Sequence, residues 1–276
     1  MKQERWRPPA LLWASLVCHL GATTLWALMP HHWPLALGIL VINHLALAVT
    51  GLLPRSKGLG PNLTRLPESA ARQGWVALTI DDGPDPEVTP KVLEILAAYQ
   101  AKATFFCIGK KVEAFPELAQ AIVAAGHAIE NHGQCHHTFN SLQGMSGWTR
   151  EIADAQASIH KATGQTPRFY RPTAGLRNPF LDPVLHRLDM HLASWTRRGY
   201  DTRVQDSEQV FTRLSRGLRG GDILLLHDGN AARTTHATPV IIAVLPRLLD
   251  TIATLGLRPV TLRAVFDDPR TPHTDS

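Results

Sequence analysis

The chain has 276 residues, a formal net charge of +5 and only three cysteines, Cys18, Cys107 and Cys135. That length accommodates one domain of roughly 200 residues with a smaller segment beside it. Acidic and basic residues are mixed, with no dense Lys/Arg block and no aromatic–basic alternation, which excludes nucleic acid as the expected partner; the cysteine spacing offers neither a disulfide framework nor a Cys-x-x-Cys site.

Residues 10–29 and 33–53 contain no Asp, Glu, Lys or Arg, and each is near the length of a bilayer-crossing helix. Only Pro30-His31-His32 separates them, and Trp26 and Trp33 stand where interfacial aromatics belong. Residues 1–53 are therefore expected to form a transmembrane hairpin, with the lipid bilayer as a partner. A signal peptide is the competing reading of the first run, but no convincing small-x-small cleavage site precedes the second. Lys2, Arg5 and Arg7 precede the first helix, and Arg55, Lys57 and Arg65 follow the second, while the loop has no Lys or Arg. The positive-inside tendency puts both ends in the cytoplasm of a bacterial inner-membrane protein, with a periplasmic domain as the alternative.

Residues 54–73 read as a linker, and 266–276 as a disordered tail. Between them, over 74–265, strand-like and helix-like pieces alternate. Strands are expected at 75–80, 103–108, 127–130, 167–170, 190–195, 222–227 and 258–262. Helices are expected near 88–98, 115–125, 148–162, 179–187, 207–218 and 239–255. Such alternation predicts an α/β fold with a parallel sheet covered by helices, and this many units favour an irregular barrel.

Polar clusters fall at the carboxyl ends of these strands, the face where barrel active sites form. Asp81-Asp82 closes the first strand, and adjacent like charges there call for a metal or a base role. His132 and His136, four apart, would share one face of a helical turn and reach one ion. His137 is a rival ligand of second rank. Two His and one Asp make a divalent catalytic site with open positions. Arg171 can orient a carboxylate, and His227 can protonate a leaving group.

The ordered set Thr79-Ile80-Asp81-Asp82-Gly83-Pro84, His132-x-x-x-His136, Arg171-Pro172-x-x-Gly175 and Leu225-x-His227-Asp228 resembles the NodB-type polysaccharide deacetylases, carbohydrate esterase family 4. The resemblance covers residues 74–262 and implies a deformed (β/α) barrel. It implies that Asp82, His132 and His136 bind one divalent metal, zinc first, with Co, Ni, Mn or Fe as alternatives. Asp81 would be the general base, Arg171 its holder and His227 the general acid. Leu225, Thr173, Ala174 and Trp195 would meet the substrate, the backbone near Thr173 or Ala174 would stabilise the oxyanion, and Asp201 would support the site. The implied reaction removes an N-acetyl group from an amino sugar in a polysaccharide or lipid-linked glycan. A deformylase of a lipid-linked amino sugar and an inactive membrane-anchored glycan-binding protein are the alternatives. The chain departs from the family pattern at Gly133, where Ser or Thr is usual. It departs again at Thr173 and Ala174, where Pro and an aromatic are common. Arg198 and Thr202 stand where Asp and Trp are common, whereas Trp195 and Asp201 match.

Overall fold

The computed structural model describes residues 5–268. Helices α1 (Ala10–Leu28) and α2 (Trp33–Leu52) run side by side, joined by a single tight turn at Pro30–His32. Both are long and apolar enough to cross a membrane, and only 11% and 17% of their most apolar stretches are buried. Core helices of a water-soluble domain would be mostly covered; here Trp13, Leu20, Trp26, Ile42 and Leu45 stand exposed. Polar side chains sit in the seam instead, where Asn43 Nδ2 donates to Ser15 Oγ at 2.9 Å.

The rest of the chain builds a parallel sheet. Its strands are β1 (Trp75–Gly83), β2 (Thr104–Cys107), β3 (Ala128–Asn131), β4 (Phe169–Tyr170), β5 (His191–Leu192), β6 (Arg197–Arg198), β7 (Ile223–His227) and β8 (Arg258–Val260). The order is β5-β4-β3-β2-β1-β7-β6, with β8 paired to the first residues of β1. The helices are α3 (Glu68–Arg72), α4 (Thr89–Ala98), α5 (Gly109–Ala114), α6 (Pro116–Ala124), α7 (Met145–Thr163), α8 (Leu181–Arg187), α9 (Ser207–Ser215), α10 (Val240–Thr254) and α11 (Leu262–Asp267). The architecture is a deformed parallel half-barrel. Every strand and helix expected from the sequence within 74–265 is present, within a few residues of its expected ends. The extra elements β6, α3, α5 and α11 are two to six residues long. Pieces that short show no hydrophobic period.

Strand alternation sorts the core into two layers. Val76, Leu78 and Ile80 of β1, Phe105 and Cys107 of β2, and Leu224 and Leu226 of β7 pack on the helix side with Val92, Leu96, Val244 and Leu248. The intervening Ala77, Phe106, Ile223 and Leu225 face the barrel interior with Phe169, Ala193 and Trp195. Helix α10 buries an apolar stripe, Val240, Ile241, Val244, Leu245, Leu248, Leu249 and Ile252, at the i, i+4, i+8 spacing of one helical face.

β5 and β6 lie at opposite ends of the strand order although only Ala193–Thr196 separate them in sequence. The segment expected as a linker stitches this open side. Leu63 N–H donates to Leu192 O and Ser194 N–H to Leu63 O, both at 2.9 Å; Leu66 N–H donates to Gly221 O at 2.8 Å. Leu66 and Ala70 are buried there with the interior layer. Their apolar signal is diluted by Pro and Gly, so the sequence did not announce it. At the other end, α11 reaches into the expected tail as far as Asp267, and the tail's last residues, 269–276, lie outside the described residues.

Candidate metal centre and active site

Parallel register brings the chemistry together. Asp81 pairs with Phe106 on one side and His227 on the other, so its carboxylate and the His227 imidazole sit side by side on the interior face. Unbroken alternation would send Asp82 to the opposite face. The register shifts between Asp81 and Gly83, and Asp82 takes φ +74°. That bulge turns the second carboxylate into the same pocket. A non-glycine residue in the left-handed region costs roughly 1–2 kcal/mol, less for Asp than for bulkier residues. Neighbours hold it there. Lys111 Nζ donates to Asp82 O at 2.8 Å, and Asn230 Nδ2 to Asp82 Oδ2 at 3.1 Å. Gly229 passes so close that a Cβ on it would lie 2.2 Å from Asp82 O.

His132 follows β3 directly. His132 and His136 were expected on one helical turn, but residues 132–136 form a loop. Gly133 at φ +83° and His136 at φ +53° turn the chain so that both rings still converge, their centroids 4.6 Å apart. The positive φ accounts for glycine at position 133, and a Cβ there would also press to 2.7 Å from Glu151 Oε1. That same oxygen accepts from Cys135 N at 2.8 Å, His136 N at 3.0 Å and Asn140 Nδ2 at 3.2 Å. Glu151 of α7 thus organises the loop. The neighbouring His137 is exposed and outside the ligand cluster.

The donor set fits a metal. Single donor atoms of Asp82, His132 and His136 lie within 4.8 Å of one another. Asp82 Oδ1 is 3.1 Å from His132 Nε2 and 3.2 Å from His136 Nε2, yet it is buried without a hydrogen-bond partner. His132 Nδ1 lies 2.6 Å from Arg171 O. A carbonyl only accepts, so Nδ1 carries the proton and Nε2 offers a lone pair to the pocket. Asp82 Oδ1 and His132 Nε2, 3.1 Å apart, form a pair that one shared cation, proton or metal ion, satisfies. Burial raises the Asp82 pKa, but the hydrogen-bonding contact with His132 and the surrounding imidazoles outweigh it and hold the carboxyl well below its ordinary range. Burial, and then the charge of His132, lower His136 to about 4, which keeps its ring neutral.

Asp81 is held differently. Arg171 is wholly buried and donates through Nη1 to Asp81 Oδ1 at 2.6 Å and to Thr79 Oγ1 at 2.8 Å. Its Nε reaches Ala193 O at 3.1 Å, its Nη2 reaches Ser194 O at 2.7 Å, and its plane lies 4.1 Å over the Phe106 ring. Asp81 Oδ2 is left facing His132 Nε2 at 3.8 Å.

His227 is oriented by Asp201. Asp201 Oδ1 lies 2.8 Å from His227 Nδ1, and Oδ2 accepts the His227 backbone N–H at 2.8 Å. Burial works against the charged ring, but the Asp201 contact, with Asp81 and Asp82 nearby, raises its pKa to about 9. The imidazolium is therefore the form present at neutral pH.

The remaining expected residues are placed as follows. Leu225 is buried among Phe106, Ala193 and Trp195. Trp195 is only 6% exposed, and Arg198 lies 5.2 Å over its ring. Thr173 is half-buried and Ala174 exposed on a short turn, Thr173–Gly175, with Ala174 at φ +55°. Sequence reasoning gave no role to Lys111, Glu151 or Asp228. Asp228, adjacent to His227 in the motif, accepts from Thr89 Oγ1 at 2.5 Å and abuts Gly83, where a Cβ would lie 2.4 Å from its carboxylate. Burial raises its pKa to about 7, against the hydrogen bond from Thr89 and the charge of Lys111. Glu151 had no local signal, because it lies on an ordinary helix 15 residues beyond the loop it serves.

Comparisons with known proteins agree with this geometry. The polysaccharide deacetylase family model matches residues 68–193. A peptidoglycan-N-acetylglucosamine deacetylase of Bacillus cereus is 32% identical over 189 residues, spanning 68% of this chain and 85% of that protein. A chitooligosaccharide deacetylase of Azorhizobium caulinodans is 33% identical over 160 residues, 57% of this chain and 75% of that one. The solved structure of a family 4 carbohydrate esterase from Streptomyces lividans in complex with acetate superposes with a TM-score of 0.61 at 30% identity, covering 67% of this chain and 91% of that one. The matched stretches run through β1, the His132–His136 loop and Arg171, and the chain belongs to the polysaccharide deacetylase family, carbohydrate esterase family 4.

Proposed function

We propose that this chain hydrolyses the N-acetyl group of an amino sugar, releasing acetate and a free amine, with Asp81 as base and His227 as acid. The observation that carries the reading is the convergence of Asp82, His132 and His136 on one point beside an Arg171-held Asp81 and an Asp201-held His227. The related deacetylases of peptidoglycan and chitooligosaccharides support an amino-sugar amide as the substrate.

A divalent metal held by Asp82, His132 and His136, zinc being our assignment for a two-His, one-carboxylate set, supplies a Lewis acid that acidifies water and polarises an amide carbonyl. Asp81 does the proton work. Its Oδ1 is occupied by Arg171, so Oδ2 takes a proton from the attacking water. The water oxygen bonds to the carbonyl carbon, and a backbone N–H at Thr173 or Ala174 receives the developing oxyanion. His227, protonated on Nδ1 by its contact with Asp201, gives the proton on Nε2 to the amide nitrogen. The carbon–nitrogen bond then breaks, leaving acetate and the amine. Leu225 and Trp195 shape the apolar floor beneath the acyl methyl.

We assign residues 1–53 as a membrane hairpin and 74–265 as the catalytic domain, with 54–73 as the connection between them. The basic residues flanking the hairpin support a cytoplasmic face of the inner membrane for the catalytic domain.

Asp81→Asn is expected to keep its metal and lose about 10²–10⁴-fold in kcat. Metal content and acetate release measured on one preparation decide this, and full activity would remove Asp81 from the base role. Asp201→Asn removes the charge that raises His227. Activity needs the protonated ring and falls as pH rises through the His227 pKa, so the alkaline limb of the kcat/KM profile should move to lower pH in this variant; an unmoved limb would contradict the acid assignment. A fluorescent-protein fusion at the C-terminus should glow in cells while an alkaline phosphatase fusion stays silent, and the reverse pattern would place the domain outside.

A further inference from the structure

The foot of the hairpin is not attached at a random point on the domain. Gly51, in the last turn of α2, accepts from Arg177 N–H at 3.1 Å, and a Cβ on Gly51 would lie 2.2 Å from Arg177 O. Arg177 also donates through its guanidinium to Ser56 O. Ser194 Oγ donates to Pro54 O at 2.7 Å, and a Cβ on Gly175 would meet Pro54 at 2.6 Å. Arg177 is six residues beyond Arg171, and Ser194 is the residue whose carbonyl Arg171 binds. The hairpin therefore ends on the same rim that carries the catalytic groups. Before α1, Trp6 Nε1 donates to Asp182 Oδ2 at 2.8 Å, next to the same loop.

That rim is apolar where it has no protein neighbour. Phe139 is 73% exposed, Leu142 79% and Phe180 47%. Asn178 ties the three together. Its Nδ2 donates to Ser141 O at 2.8 Å and to Gln143 O at 2.7 Å, and its Oδ1 accepts from Phe180 N at 3.0 Å. Asn178 is the residue after Arg177, so these side chains project from a loop cluster bonded to the end of α2. Phe139 is three residues from His136, and its neighbour Asn140 shares the Glu151 carboxylate that fixes the His136 backbone. Arg5, Arg7, Arg55 and Lys57 stand exposed around the foot of the hairpin. Exposed aromatic and aliphatic tips beside a basic collar suit a bilayer surface carrying anionic headgroups.

We infer that Phe139, Leu142 and Phe180 form a membrane-contacting lip of the active site, seated in the leaflet that the hairpin enters, so that the substrate class is an N-acetyl amino sugar carried on a lipid. This rests on the deacetylase reading and on the hairpin's spanning the bilayer. A lipid tail keeps its sugar within the headgroup layer, and a cleft with its lip in that layer meets the acetamide without lifting the lipid out.

The test uses the full chain in vesicles of phosphatidylethanolamine and phosphatidylglycerol. Acetate release is followed from a soluble N-acetylglucosamine oligomer and from a long-chain N-acetylglucosaminyl glycolipid in the same vesicles. The triple variant Phe139→Ser, Leu142→Ser, Phe180→Ser should raise the apparent KM for the glycolipid about tenfold or more and leave kcat/KM on the soluble oligomer unchanged. Equal activity of variant and parent on the glycolipid, or equal loss on both substrates, would overturn the lip. Acetate from the soluble oligomer but none from the glycolipid with the parent protein would overturn the lipid-carried substrate, whereas acetate from neither would instead defeat the deacetylase reading. In the separate variant Leu142→Trp, the added fluorescence should be quenched by brominated lipid, and an unquenched signal would also overturn it.

Discussion

The buried pair of Arg171 and Asp81 is the contact on which the site depends. An arginine with no exposed surface carries a large desolvation cost, and one carboxylate alone does not offset it. Here the guanidinium is satisfied on every side, by Asp81 and Thr79 of β1 and by the carbonyls of Ala193 and Ser194 beyond β5. The same fork cross-braces the two halves of an open barrel. It also fixes which oxygen of Asp81 is free, and with it the direction from which a proton can be taken.

A second constraint is how two adjacent residues on a strand come to serve one pocket. Strand geometry separates neighbours by a face, so the Asp81-Asp82 pair works only because the ladder slips by a residue and Asp82 accepts a left-handed backbone. The surrounding structure keeps that conformation. Lys111 holds the carbonyl, and Gly229 leaves the space for it. Division of labour between the carboxylates then follows from their contacts, with Asp81 facing a guanidinium and Asp82 facing two imidazoles.

Much of this was legible in the sequence because strand ends are marked by abrupt polar runs after apolar ones. Asp81-Asp82 after Val76–Ile80 and His227-Asp228 after Ile223–Leu226 identify both the strands and the face on which the site lies. Helical spacing misled for His132 and His136. Four residues match one helical turn, but the chain reaches the same convergence through positive φ at Gly133 and His136. Glu151, Lys111 and Asn178 were illegible because each acts across the fold through long-range hydrogen bonds. The packing of Leu66 and Ala70 against the open seam was hidden for a similar reason, since single apolar residues among Pro and Gly show no period.

The central claim is that Asp82, His132 and His136 hold one divalent ion and that hydrolysis depends on it. The most direct measurement is metal analysis with acetate release on one sample of the full chain, before chelation, after it, and during zinc back-titration. The account predicts a single equivalent of zinc at saturation, acetate release recovering in proportion to it, and no stable uptake at this site by His132→Ala. Full acetate release from protein shown to be stripped of metal would contradict it.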